Sequence, residues 1–467
     1  MRYRMLIGGK LVEGAGVLDV VNPATGESFE SCARGDLAQL NQAVRAAKDA
    51  FPRWGALPIR ERGAYLCRLA DALEARAGEV ARLLTSEQGK PIGESEWEVA
   101  GSAACLRYTA SLELPDKVLH DNEHEQIIQY RTAHGVVAAI TPWNVPLLLL
   151  VMKVAPGLLV GNTIVAKPAP TTPLTTLLLG EIAKDVLPPG VLNTLVVDND
   201  LGAALTSHRD VAKISFTGST ETGKRIMSSA AGSLKRVTLE LGGNDAAIVL
   251  DDVDVKEVAP KIYAAATLNC GQICLAAKRV YAPRALYDDL SAELARLAKA
   301  TVVGDGQQRT TQLGPVQNRR QYEKLKGYLA EAGEKGTVVA GGSVLDRPGF
   351  FVAPTIVRDI PPDSRLVREE QFGPVLPILP YDDINEAVAQ ANDSDYGLGG
   401  TIWARDVDRA FALARQIDTA TLWINRHMDL PFDVPIGGLK QSGIGLQQGQ
   451  EGLEDFTQLK IINMARR

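Results

Sequence analysis

The middle third of the chain alternates between two hydrophobic rhythms. Short runs rich in Val, Ile and Ala read as strands at residues 135–140, 163–167, 195–197 and 213–216. Between them, longer segments at 146–160, 173–186 and 220–230 carry helical spacing. Strand and helix in strict alternation predict an α/β fold, a parallel sheet with helices on both faces. Such sheets bind nucleotide-like ligands at the carboxyl ends of their strands.

The flanks add further elements. Residues 37–50 and 60–88 read as amphipathic helices, separated by the turn chemistry of Pro52, Gly55 and Pro58. Segment 116–132 is polar, and Ile127, Ile128 and Tyr130 mark it as a strand. A second strand-and-helix series follows Leu241, with segments 246–250, 255–268 and 279–281, and reaches a Gly-rich region at 437–445. Residues 456–464 read as a final strand. Domain boundaries are expected near 241 and 441. No fixed-period repeat points to a solenoid or propeller.

Composition narrows the class. The chain has 467 residues, more than one ordinary core holds, with 45% hydrophobic and 23% charged positions. Fifty Lys+Arg against 56 Asp+Glu give a net charge of −6 without a basic block, which argues against nucleic acid as a partner. The longest apolar run, from Val145 to Met152, is far too short to span a membrane, and the first residues lack a secretory pattern. Five cysteines without framework spacing fit a reducing, cytoplasmic setting.

Cysteine is scarce, so its contexts are informative. Cys274 ends the stretch Asn269-Cys270-Gly271-Gln272-Ile273-Cys274 and precedes Leu275–Lys278, which reads as helical. A thiol at a helix N-terminus has its pKa lowered and becomes more nucleophilic; the competing assignment is a small buried hydrophobe. Cys270 and Cys274 have no second cluster at ligand spacing, and the His120/His124 pair lies outside a helix, so no metal site is expected. Histidine supplies no recognised thiol partner. Glu240, between Leu239 and Leu241, is the other candidate base, since burial would raise its pKa; a solvent-facing glutamate is the alternative.

Gly218, Ser219 and the following Thr220-Glu221-Thr222-Gly223-Lys224 connect a strand to a helix, where a phosphate can meet free backbone amides. The spacing approaches a Walker loop. Arg225 stands where the magnesium-binding hydroxyl belongs, which disfavours an NTPase; Ser219 could equally be a plain helix cap. Thr141-Pro142-Trp143-Asn144 ends a strand and presents an amide donor suited to an oxyanion.

Eight stretches in order, TPWNVP, GNTIVAKPAP, FTGSTETGKRI, LELGG, NCGQIC, EEQFGPVLP, WIN and PIGGLKQSGIG, resemble the aldehyde dehydrogenase superfamily over essentially the whole chain. The resemblance implies a Rossmann-like cofactor domain (1–115 and 135–241), an α/β catalytic domain (242–441) and a small β oligomerisation arm (116–134 and 450–467), in a homodimer or homotetramer. It implies that Cys274 attacks an aldehyde, that Asn144 and the Cys274 amide hold the oxyanion, and that Glu240 activates water against the thioester. Lys167, Gly218, Ser219, Trp143, Glu370 and Phe372 would surround NAD or NADP. Val145, Met152, Leu268, Ile273 and the segment 426–432 would line the aldehyde tunnel, where Arg426 or His427 could meet a carboxylate-bearing substrate.

The departures are local. Pro170 replaces a glutamate that in many NAD-using members repels the 2′-phosphate, so either dinucleotide is expected. Asn244 replaces a common lysine, Leu268 an aromatic residue, and Leu446-Gln447 a frequent Arg-Glu. A CoA-acylating semialdehyde dehydrogenase is the nearest alternative, opposed by Glu240. A non-catalytic binding role is opposed by the intact trio.

Overall fold

The computed structural model describes residues 2–198 and 201–466. Two sheets organise it. The first has six strands in the order Gly443–Ile444, Arg236–Glu240, Val211–Thr217, Val136–Ile140, Thr163–Lys167 and Leu192–Thr194. All pairs are parallel except the short Gly443–Ile444 edge. The strand order reverses between Val136–Ile140 and Val211–Thr217, which opens the crevice where doubly wound sheets take ligands. The register brings four strand ends level: Lys167 opposite Ile140, Ile140 opposite Phe216, and Thr217 opposite Glu240.

The second sheet has seven strands in the order Thr337–Ala340, Thr355–Arg358, Val375–Tyr381, Ala277–Pro283, Asp245–Val249, Gly399–Trp403 and Thr421–Ile424. Only the Thr337–Ala340 edge is antiparallel. Separate apolar clusters cover its two faces, one including Tyr281, Tyr328 and Ile402 and the other Ile262, Leu290 and Trp403. A third sheet is antiparallel and joins Thr457–Ala465, Glu125–Ala133 and Lys117–Asp121. Leu459, Ile461 and Met464 stand exposed on it. Among the described residues, no helix is long and apolar enough to cross a membrane.

Several expected elements shift, each for a physical reason. The strand read at 195–197 pairs instead at Leu192–Thr194. Asn193 and Thr194 look polar in the sequence, yet both are buried, because their side-chain oxygens accept from the amides of Gly8 and Leu6. The helix read over 60–88 divides into Ile59–Glu74 and Ala77–Gln88, and a further helix, Ile92–Ala110, follows them. The polar segment 116–132 is a hairpin, not one strand.

The largest correction concerns Leu275–Lys278. No helix begins there: residues 274–275 turn, residue 276 bends, and Ala277–Pro283 is a fully buried strand. Leu-Ala-Ala-Lys favours a helix intrinsically, but parallel pairing with Asp245–Val249 on one side and Val375–Tyr381 on the other overrides that weak preference.

Candidate active site

The Asn144 turn leaves Val136–Ile140 and enters the helix Pro146–Leu159, whose proline suits the first helical turn. Glu98, from the helix missed in the sequence, accepts from the amides of Leu147 and Leu148 at 2.8 and 3.2 Å. Its other oxygen meets Lys90 Nζ at 2.6 Å in a wholly buried ion pair, and Lys90 also donates to the Asn144 carbonyl at 2.9 Å. Asn269 Nδ2 donates to the same carbonyl at 2.8 Å. The Asn144 backbone is therefore held from two elements. Its side-chain Nδ2 donates to the Gln272 carbonyl at 2.9 Å, which joins this turn to the cysteine loop.

That loop is strained. Asn269, Cys270 and Gly271 all have positive φ (51°, 58° and 69°), a conformation that costs a non-glycine residue free energy. A Cβ on Gly271 would lie 2.5 Å from the Gly373 carbonyl oxygen, so the loop presses against the segment that carries Glu370 and Phe372. Gln88 and Glu94 hold Asn269 through its side-chain oxygen and backbone amide. Cys274 packs with Ile273, Leu275, Leu398, Trp423 and Met428.

With no helix behind it, Cys274 lacks the dipole expected from the sequence. Burial pushes its thiol up to about 12; Lys278 pulls the other way, and Glu370, Asp245 and Glu240 add to the rise. Cys270 is fully buried and also pushed up, the small-hydrophobe case.

Glu240 ends its strand buried, with Oε1 hydrogen-bonded to nothing among the described residues. Burial raises its carboxyl well above the usual range; Lys153 opposes this and Asp455 adds to it. Lys153, which interrupts the apolar helix Pro146–Leu159, is lowered by the same burial and donates to Thr217 Oγ1 at 2.7 Å. The Glu240 carbonyl accepts from Gly218 N at 3.0 Å, which ties the carboxylate's strand to the Gly218-Ser219 turn.

Ser219 caps the helix Thr220–Ala231, accepting from Thr222 N at 3.3 Å, so the cap assignment holds. The helix end still faces the crevice. A Cβ on Gly223 would meet Leu241 at 2.6 Å, so glycine is what lets this helix sit close. Lys167 is buried and lowered to about 8, chiefly by desolvation. Pro170 is half-buried nearby in the turn after that strand. Phe372 takes a φ of 54° and meets Trp143 edge-on at 5.4 Å. Glu370 accepts from Gly243 N at 2.9 Å and covers Gly242 so closely that a Cβ there would lie 2.8 Å from Oε2.

The aldehyde dehydrogenase family model matches residues 12–462. The chain belongs to this family. It is 40% identical over 486 residues to phenylacetaldehyde dehydrogenase of Pseudomonas fluorescens, covering 99% of this chain and 96% of that one. The NAD+ complex of an aldehyde dehydrogenase from Bacillus cereus superposes with a TM-score of 0.98 at 32% identity, covering 100% of this chain and 97% of that one. An NADP-dependent enzyme of E. coli gives 0.96 at 33%, covering 99% and 98%. The fold is that of these enzymes, and an aldehyde dehydrogenase oxidises an aldehyde to its acid with NAD(P)+.

Around this aldehyde dehydrogenase's crevice lie the tunnel candidates. Met152 lines a cavity with Cys105, Tyr108, Leu112, Phe432 and Leu453. Val145 is half-buried against the first core and Ile273 packs beside Cys274, while Leu268 stands 36% exposed where the helix Val255–Thr267 ends. Arg426 is paired with Asp429. Both nitrogens of His427 are taken, by Thr401 and by the Leu275 carbonyl, and burial lowers it to about 4. Sequence reasoning passed over Lys90, Glu98, Asn269, Lys153 and Lys278. A visible signal was present for Lys153, a lysine inside an otherwise apolar run.

Proposed function

We propose that this enzyme is a hydrolytic aldehyde dehydrogenase for apolar aldehydes, acting through Cys274, Asn144 and Glu240. The observation that carries the trio is Glu240 Oε1, a buried carboxylate oxygen with no hydrogen-bond partner among the described residues, at a strand end facing Cys274.

Cys274 gives its proton to solvent and its sulfur adds to the carbonyl, while Asn144 Nδ2 and the Cys274 amide meet the oxyanion. A nicotinamide dinucleotide, held by Lys167, the Gly218-Ser219 turn and Glu370, would supply the acceptor for the hydride whose loss leaves a thioester on Cys274. Glu240 then takes a proton from water as the oxygen attacks; the C–S bond breaks, acid leaves, and the thiol is restored. Glu240 favours water over CoA as the acyl acceptor.

The cofactor-binding domain comprises 1–115 and 135–241, the catalytic domain 242–441, and the arm 116–134 and 450–467. The helix after Ser219 would receive the pyrophosphate, Lys167 the adenosine ribose and Glu370 the nicotinamide ribose. Trp143 and Phe372 would pack toward the nicotinamide. Pro170 places no carboxylate against a 2′-phosphate, which supports use of both dinucleotides. The exposed apolar residues of the three-stranded sheet support a homodimer or homotetramer. Five free cysteines support a cytoplasmic setting.

Met152, Phe432 and Tyr108 give the cavity an apolar and aromatic wall, Tyr108 stacking on Phe432 at 6.3 Å. With Arg426 and His427 both engaged, no free cation in that segment greets a carboxylate. Val145, Leu268 and Ile273 extend the apolar lining. A panel of aryl, aliphatic, amino- and carboxyl-bearing aldehydes with each dinucleotide, followed by absorbance of the reduced cofactor, tests this. Aryl and aliphatic aldehydes should give the highest kcat/KM; preference for a carboxylated semialdehyde would contradict the substrate class.

A further inference from the structure

The failure of the helix expected after Cys274 leaves a question of charge: what offsets the burial of the thiol? Four residues on, Lys278 begins the answer. Its side chain is buried on the strand Ala277–Pro283, and its ammonium turns back beneath the cysteine loop. Nζ donates to three carbonyls, of Cys274 at 2.5 Å, Ile273 at 2.8 Å and Ala276 at 3.2 Å. Its ion pair with Glu370 is long, 4.0 Å to Oε1. The cation is thus held by neutral dipoles and only loosely compensated by a carboxylate.

Two consequences follow from the geometry. First, the C=O of Ile273 and the N–H of Cys274 belong to one trans peptide plane and point in opposite directions. Drawing the Ile273 oxygen toward Nζ aims the Cys274 amide away from Lys278, into the crevice, where an oxyanion donor is needed. Second, the charged groups facing Cys274 come from four elements. Lys278 lies on its own strand, Asp245 on the neighbouring strand, Glu370 ahead of Val375–Tyr381, and Glu240 at the end of the first sheet. The three carboxyls disfavour a thiolate, and only Lys278 favours one. Burial keeps Asp245, Glu370 and Glu240 above their ordinary values, toward their neutral forms, which limits their opposition. His427, also within reach of Lys278, is held neutral.

We propose that Lys278 is the positioning residue of the nucleophile loop, aiming the Cys274 amide and setting one buried positive charge beside the thiol. The proposal rests on Cys274 being the nucleophile and adds what makes its thiolate accessible.

The test is alkylation by iodoacetamide, which requires the thiolate, read peptide by peptide by mass spectrometry from about pH 6 to about pH 9. Lys278→Gln keeps a hydrogen-bond donor without charge, Lys278→Met removes both, and Lys278→Arg keeps the charge. Removing an opposite charge at this range should slow labelling of Cys274 about tenfold at neutral pH in the Gln and Met variants, equivalent to about one pH unit. Because burial holds the thiol well above this range, labelling should rise about tenfold per pH unit in every variant and the gap should persist across it, while Lys278→Arg should stay close to wild type. Circular dichroism confirms folding, and the Arg variant tests the charge even where Met unfolds the loop. A Gln variant labelled at the wild-type rate throughout, or an Arg variant as slow as Gln, would overturn the role of charge. Wild-type enzyme inactivated by labelling elsewhere, with Cys274 untouched, would instead sink the nucleophile assignment and the proposal with it.

Discussion

The Asn144 turn leaves a strand and enters a helix, whereas the Cys274 turn leaves a strained loop and enters a strand. At the first, the helix Pro146–Leu159 fixes the backbone, and its start is locked by Glu98 from the neighbouring helix Ile92–Ala110 and by Lys90 from the connection before that helix. At the second, no helix dipole is available, and a side chain, Lys278, gathers the carbonyls. The site thus obtains order from secondary structure on one side and from a single buried cation on the other. The spacing of four between Cys274 and Lys278, which suggests a helical pair, comes instead from a chain that folds back on itself.

The two turns should differ most at the thiol. Cys274→Ala should abolish oxidation and any esterase activity while the protein stays folded, whereas Cys270→Ala, in the same loop, should cost only packing. Substantial turnover by the Cys274 variant, or inactivation confined to Cys270, would reverse the roles of the two cysteines.

On the other turn, Asn144→Ala should lower kcat by roughly 10²–10³-fold, the usual loss for one oxyanion donor. Cofactor affinity should hardly change, because the substitution leaves the backbone bonds from Lys90 and Asn269 in place. Unchanged turnover with chemistry rate-limiting would make Asn144 a structural turn residue.

The pH profile separates the two sides more gently. Burial holds the Glu240 carboxyl above its ordinary value of 4.5, so its basic form accumulates only as pH rises. Turnover limited by thioester hydrolysis should therefore climb through the neutral range, about tenfold per pH unit on the rising limb. A profile flat from about pH 5 upward would mean an unperturbed carboxylate at this position.

The smallest effect is expected farthest from both turns. Introducing Glu at position 170 should shift the preference toward NAD by like-charge repulsion of the 2′-phosphate, read as the ratio of kcat/KM values. A wild type with no turnover on NADP would show that another residue enforces the choice.

What the sequence disclosed follows the same division. The strand Thr163–Lys167 and the helices beginning at Pro146 and Thr220 were legible, because their apolar spacing and first-turn residues are local signals. Asn144, Glu240 and Cys274 stood out through their neighbours. The Lys90–Glu98 pair and the carbonyls around Lys278 did not, since burial of a charge depends on segments far apart in the chain. Leu192–Thr194 was misplaced because Asn193 and Thr194 look like turn residues until Gly8 and Leu6 are brought against them.

In the proposed reaction Cys274 carries an acyl group which Glu240 releases to water. Glu240→Gln keeps the side chain's shape but cannot take the proton. Enzyme, dinucleotide and aldehyde mixed rapidly should give a burst of reduced cofactor close to one per active site, then little turnover, with mass spectrometry finding the acyl adduct on Cys274. No burst would mean that Glu240 acts earlier, on the thiol; full steady turnover would mean that it is not the base, and either result would contradict the account.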